Sequence, residues 1–395
     1  MGPRRASSDF AATHKDAAAF RVTLYGSLAA TGKGHLTDVA ILESMTPTAP
    51  TEIIWKPEVF LPFHPNGMMF EALDKDGNVT DTDTIFSVGG GQLAREGGEP
   101  GKDSAEVYDM SKLTDIMNWC ERTGKTYWEY VEQCEGPEIW SYLSKVWHVM
   151  KAAVERGLDN EGVLPGPLGL RRRATSYNVR ASGYKTNLQS RGLVFSYALA
   201  VSEENASGGE IVTAPTCGSC GVLPAVLYHL WKSRDFSEAR ITRALATAGL
   251  IGNVVKHNAS ISGAEVGCQG EVGVACAMAA AAANQLFGGS PAQIEYAAEM
   301  GLEHHLGMTC DPVCGLVQIP CIERNAYAAA RALDSNLYAA FTDGSHRVSF
   351  DRVVEVMKQT GHDLPSIYKE TSQGGLASTW KRPEAGAGHC PVMKH

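Results

Sequence analysis

The run VGVACAMAAAAA, from Val272 to Ala283, constrains the fold more than any other stretch of this 395-residue chain. Side chains this small give a helix little bulk on any face, so it can be buried only where neighbouring backbones come unusually near. Gly267, Gly270 and Gly273 lead into the run and remove more bulk still. The run is too short to cross a bilayer, and no membrane partner is expected. What it predicts is a closely packed helical body.

The flanking patterns divide the chain. The first hundred residues read as mixed α and β. FRVTLYGSLA alternates apolar and polar residues like a half-buried strand, TDVAILESM is helical in spacing, and Asp76-Gly77 separates two β-rich runs as a hairpin turn. Residues 89–104, GGGQLAREGGEPGKDS, read as a polar linker. From about 106 the apolar residues recur every three or four positions. In SPAQIEYAAEMGLEHHLG, Ser290 is an N-cap, Pro291 stands at N1, Gln293 completes a capping box and Gly307 is the stop. The expected fold is α+β: a small N-terminal mixed α/β domain (1–105), a helical connector (106–169), an all-helical domain (170–378) and a C-terminal tail (379–395). With 44% apolar and 20% charged residues the chain has the composition of a folded protein. Its net charge of −9 comes with no long basic run, which excludes a nucleic-acid backbone as partner. No secretory leader is visible, so a cytoplasmic location is the default.

Ten cysteines in a reducing compartment argue against a disulfide framework, and five of them fall between 268 and 321. GMTCDPVCGLVQIPCIERN (307–325) interleaves Cys310, Cys314 and Cys321 with Pro312, Gly315 and Pro320, which keep the segment out of regular helix. Cys310 and Cys321 are spaced too widely for a zinc C-x-x-C and do not match a ferredoxin run. Three thiolates on a four-iron cluster would leave one iron open, the position a Lewis-acid catalyst requires.

Three further stretches carry chemistry. TGKGHLTD (31–38) fails as a phosphate loop, because Gly34 follows Lys33 where a Ser or Thr should bind magnesium; it can instead present His35 and Thr37 on a glycine turn. Cys217 and Cys220 form a C-x-x-C after IVTAPT, readable as a thioredoxin-like redox pair or, more simply, as a turn with two buried thiols. In VVKHNASISGAEVGCQGEVG (254–273), Lys256, His257, Asn258, Ser260, Ser262 and Glu265 stand inside an otherwise apolar region, where such groups are paired or line a site. Lys256 lies in no phosphate-cradle setting that would suit a pyridoxal enzyme.

SISGAEVGCQGEVGVAC, GMTCDPVCGLVQIPCIERNA and IVTAPTCGSCGVLPAVLYH resemble the catalytic domain of the iron–sulfur-dependent L-serine dehydratases (L-serine ammonia-lyases). LYGSLAATGKGHLTDVAI, LPFHPNGMMFEAL and FSVGGG resemble the N-terminal domain of the single-chain form, so the likeness runs from residue 1 to about 377. The resemblance implies a lyase of amino-acid catabolism that supplies gluconeogenesis, carries a [4Fe-4S] cluster and turns L-serine into pyruvate and ammonia. It implies Cys268, Cys310 and Cys321 as cluster ligands, leaving Cys314 a neighbouring thiol; this chain's tail runs longer than that of many members, and its Cys390 is expected to act as a fourth ligand when substrate is absent. It implies His35 as the base, with Thr37, Lys256 and His257 in the catalytic group, and Asn66, Thr213, Thr216, Asn258 and Ser262 as substrate contacts. A homo-oligomer, a dimer, is the implied assembly. Members enter this domain through a Gly-Pro-Ser-Ser-Ser-His-Thr segment placed before Met1. A serine-binding protein made inactive by its loss is therefore one alternative, and the same chemistry on L-cysteine or L-threonine is another.

Overall fold

The structure, a computed structural model, describes residues 1–97 and 107–380; the expected boundary at 105/106 and the tail cysteine Cys390 lie outside these residues. The N-terminal part runs through α1 (Gly2–Thr13), β1 (Ala19–Tyr25), α2 (Gly26–Thr31), α3 (Thr37–Met45), β2 (Thr51–Lys56), β3 (Gly67–Leu73), β4 (Val79–Ser87) and β5 (Leu93–Arg95). The strands form one mixed sheet in the order β2-β1-β3-β4-β5, with β1 and β2 parallel and the other pairs antiparallel. A parallel pair needs a crossover, and α2 with α3 supplies it. The alternation in β1 places Phe20, Val22 and Leu24 on one face, opposite Ala72, Phe70 and Met68 of β3. These residues, Phe10 of α1, and Ile41 and Met45 of α3 share one core. Gly77 makes the β3–β4 turn at φ +83°, and the Asp74 carboxylate accepts the N–H groups of Asp76 and Asn78. β5 falls inside the stretch expected to be linker: Leu93–Arg95 pairs with Ser87, Phe86 and Ile85, because β4 would otherwise leave an open edge there.

The helical part comprises α4 (Leu113–Thr123), α5 (Tyr127–Glu135), α6 (Ile139–Asp159), α7 (Ala174–Ser182), α8 (Thr186–Ala206), α9 (Val222–Arg234), α10 (Glu238–Asn258), α11 (Gly263–Val266), α12 (Val274–Leu286), α13 (Pro291–Glu303), α14 (Cys321–Ala340), α15 (Phe350–Asp363) and α16 (Gly375–Thr379). One hydrophobic core extends from Leu113 to Met357, so α4–α6 pack within the same body as the later helices. With a five-stranded mixed sheet followed by this helical body, the protein is α+β. α12 is its axis: every residue from Val274 to Leu286 except Gln285 is buried. Gly301 of α13 is the closest approach, since a Cβ there would stand 2.8 Å from Ala277 Cα and 2.9 Å from its N. The alanine run is therefore packed backbone against backbone. A side chain at 301 forces α12 and α13 apart, and Gly301→Val should destabilise the protein by about 3 kcal/mol, read as a lowered denaturation midpoint. The capping box at Ser290 is formed in both directions, with Gln293 N donating to Ser290 Oγ (3.3 Å) and Ser290 N to Gln293 Oε1 (2.9 Å). No helix among the described residues is long and apolar enough to cross a membrane.

The two parts meet at glycines. A Cβ on Gly34, in the turn between α2 and α3, would overlap the Gly315 carbonyl, and one on Gly315 would come within 2.7 Å of the Ala30 carbonyl. Ser27 Oγ of α2 donates to Lys369 O at 3.2 Å. The turn that carries His35 is thus pressed onto the loop between Cys310 and Cys321.

Candidate active site

Three segments bring the cysteines together. Gly267, at φ +76°, ends α11 and hands the chain to a π-turn, Gln269–Gly273, whose N-cap is Cys268. Cys310 lies in an extended stretch after α13, tied to the C-terminal segment by Cys310 N to Tyr368 O (2.8 Å) and Glu370 N to Cys310 O (2.7 Å). Cys321 is the first residue of α14. All three are buried. The Sγ atoms of Cys268 and Cys310 each lie 3.7 Å from Glu271 Oε2, and the three groups sit within 4.8 Å of one another. Hydrogen bonding to Cys268 and burial push the Cys310 thiol well above the usual range; burial, then the charges of Cys268 and Glu271, do the same for Cys321. Arg324 stands beside them, donating from Nη1 to Thr309 O (2.7 Å) and from Nη2 to Asp311 Oδ1 (3.3 Å), and it also hydrogen-bonds Cys268. Glycine keeps this group open: a Cβ on Gly263 would run into the Glu271 carboxylate and reach 3.3 Å from Cys310 Sγ.

Facing the thiols from the N-terminal part is His35. Its Nδ1 lies 3.3 Å from Cys217 Sγ and its Nε2 3.2 Å from Glu370 Oε1. Burial alone would lower its pKa, but Cys217 and Glu370 together outweigh it and hold the imidazole well above its usual range. Glu271 accepts a 2.7 Å hydrogen bond from Thr216 Oγ1, yet burial, and then the charge of Glu370, raise its carboxyl to about 7.

His35, Thr216, Cys268, Cys310 and Cys321 are thus gathered in one region, and Ser262 adjoins it next to Gly263. Thr37 is buried at the start of α3, its N–H closing a turn on Gly32 O at 2.8 Å. Lys256 is half-buried against the Gly89–Gly91 loop, its Nζ 3.7 Å from where a Gly90 Cβ would be, and burial lowers its pKa. His257 and Thr213 are exposed. Asn258 Nδ2 donates to Ser111 O and Val254 O, both 2.8 Å away, and so ties α10 to the segment before α4. Ser262 is the buried N-cap of α11, and Asn66 donates from Nδ2 to Ser87 O at 3.4 Å.

The two thiols of the C-x-x-C have different company. Cys220 Sγ is buried and turned toward Val201 O (4.0 Å), while Cys217 is half-buried at His35, and both are free. The turn is therefore not one with both thiols buried. Sequence reasoning passed over Glu271, Glu370 and Arg324. Glu271 carried a signal, a carboxylate three residues after Cys268 in a run of glycines and apolar residues; Glu370 and Arg324 carried none, since only folding brings them to the cysteines.

The serine dehydratase alpha chain family matches residues 41–377, and the serine dehydratase beta chain family matches residues 1–53. The chain belongs to the serine dehydratase family. The L-serine dehydratase of Streptomyces coelicolor is 41% identical, with 95% of this chain and 94% of the relative covered. L-serine dehydratase TdcG of Escherichia coli is 42% identical over 90% of this chain and 88% of its own. The L-serine dehydratase of Helicobacter pylori is 36% identical over 91% and 90%. In serine dehydratase terms, His35 comes from the beta-chain part and the three cysteines from the alpha-chain part, and the site forms where Gly34 docks on Gly315.

Proposed function

We propose that this chain is an L-serine ammonia-lyase of the iron–sulfur type, converting L-serine to pyruvate and ammonia with a [4Fe-4S] cluster held by Cys268, Cys310 and Cys321. The observation that carries this reading is that Glu271 has the buried Cys268 and Cys310 within 4.8 Å, feels the charge of His35 from the other domain, and with Cys268 acts on the buried Cys321. The donor set fits the group: soft sulfur ligands suit an iron–sulfur cluster, Gly263 leaves room beside Cys310, and Arg324 offsets negative charge. When bound with one iron free of cysteine, the cluster supplies a Lewis acid for the serine hydroxyl.

The chain's own residues do the rest. His35 removes the Cα proton, which requires its neutral form, and Glu370 holds the ring from Nε2. Thr216 fixes the Glu271 carboxyl beside the thiols; Asn66 and Ser262 stay proposed as substrate contacts, and Lys256 as a member of the catalytic group. Loss of the Cα proton and the hydroxyl leaves 2-aminoacrylate and water. Tautomerisation to the imine and hydrolysis then release pyruvate and ammonia. L-serine is favoured over L-cysteine or L-threonine because L-serine is the substrate in the names of the relatives. A homodimer stays the proposed assembly.

Anaerobic purification tests the reading. A brown protein with iron and sulfide in equal amounts is expected, forming pyruvate from L-serine and losing that activity in air. A colourless, zinc-loaded protein would sink it.

A further inference from the structure

We propose that Cys217 is a reactive thiol, activated by a Cys217–His35–Glu370 array, that takes soft carbon electrophiles and so blocks the site while the cysteines assigned to the cluster stay unmodified. Three groups from distant parts of the chain meet here: the turn after α2, the turn before α9 and the segment before α16. Glu370 Oε1 lies 3.2 Å from His35 Nε2, and a carboxylate there selects the tautomer with its proton on Nε2. The Nδ1 lone pair then points at Cys217 Sγ, 3.3 Å away, and accepts its S–H. This is the arrangement of an activated nucleophile: thiol, adjacent base and a third group that orients the base. Glu370 is itself held in place by its N–H bond to Cys310 O.

Exposure singles out the same residue. Among the eight free thiols of the described residues, six are buried, and only Cys134 and Cys217 are partly accessible. Cys134 lies near Tyr130, and burial raises its pKa, so it has access without activation. Asn205 Nδ2 donates to Cys217 O at 3.2 Å and pins the turn that presents the thiol.

With iodoacetamide the step balances simply. The S–H proton passes to His35 Nδ1, the sulfur lone pair forms a bond to the reagent's methylene carbon, and the carbon–iodine bond breaks to release iodide. The product places a carbamidomethyl group against His35. That this stops turnover rests on the proposed role of His35 as base; the reactivity of the thiol does not.

The test is labelling of the anaerobically purified holoprotein with limiting iodoacetamide, followed site by site by peptide mass spectrometry, by iron content and by pyruvate formation. Cys217 should be labelled roughly ten-fold faster than Cys134. His35→Gln and Glu370→Gln should each remove most of that advantage while leaving the Cys134 rate unchanged, which also reports that the fold is intact. Pyruvate formation should fall in step with Cys217 occupancy at constant iron content. Labelling of Cys217 no faster than Cys134 in the unmodified protein overturns the proposal, as does a Cys217 rate indifferent to both substitutions. Fast, His35-dependent labelling with undiminished pyruvate formation supports the reactive thiol and overturns His35 as the base.

Discussion

Cys310→Ala is expected to abolish pyruvate formation from L-serine and to leave the purified protein without its iron. The thiol lies 3.7 Å from the Glu271 carboxylate that Cys268 also approaches, and its backbone is fastened on both sides to the segment carrying Glu370. Removing one sulfur of three should release the cluster, and with it the several kcal/mol of charge stabilisation that a Lewis acid gives a departing hydroxyl, a loss of at least about 10³-fold. Stability should change far less than activity, because an alanine at this buried position keeps most of the packing. Cys314→Ala is the matched control. Cys314 is half-buried four residues on, at φ +57°, and stands outside the assigned ligand set. Iron content separates the two variants independently of turnover. Equal iron in both would remove Cys310 from the ligand set.

His35→Gln should lower kcat by roughly 10²- to 10⁴-fold, the usual contribution of a positioned general base, with iron content retained. The pH profile gives a second reading of the same residue. Cys217 and Glu370 raise the imidazole pKa well above its usual range, so His35 gains its basic, neutral form at higher pH than an ordinary histidine does. Activity should therefore climb through an apparent pKa higher than that of an ordinary histidine. Glu370→Gln removes one of the groups that raise it, and the rising limb should move to lower pH. A limb that stays in place in Glu370→Gln would assign it to another group.

Much of this was legible before any coordinates. The strand at FRVTLY, the helix TDVAILESM, the Asp76-Gly77 hairpin and the Ser290 capping box all depend on neighbours within a few positions, and each forms where the pattern put it. β5 was missed because three residues recruited to a sheet edge carry almost no local signal. Asn258 shows the opposite difficulty. A polar residue amid apolar ones either lines a site or satisfies buried backbone, and the sequence does not distinguish the two.

The sequence by itself determined the chemistry on offer: soft thiols at 268, 310 and 321, a histidine on a glycine turn, and an alanine helix that had to be packed backbone to backbone. Those are properties of residue types and short spacings, which survive without a fold. Only the tertiary structure decided which groups face one another. Glu271, Glu370 and Arg324 join the thiols, and Cys217 meets His35, 182 positions away, while Cys220 is buried toward Val201. The physical reason is that hydrogen bonds and burial act over a few ångströms of space. No spacing along the chain encodes that a carbonyl at Gly315 leaves room for nothing larger than glycine at position 34.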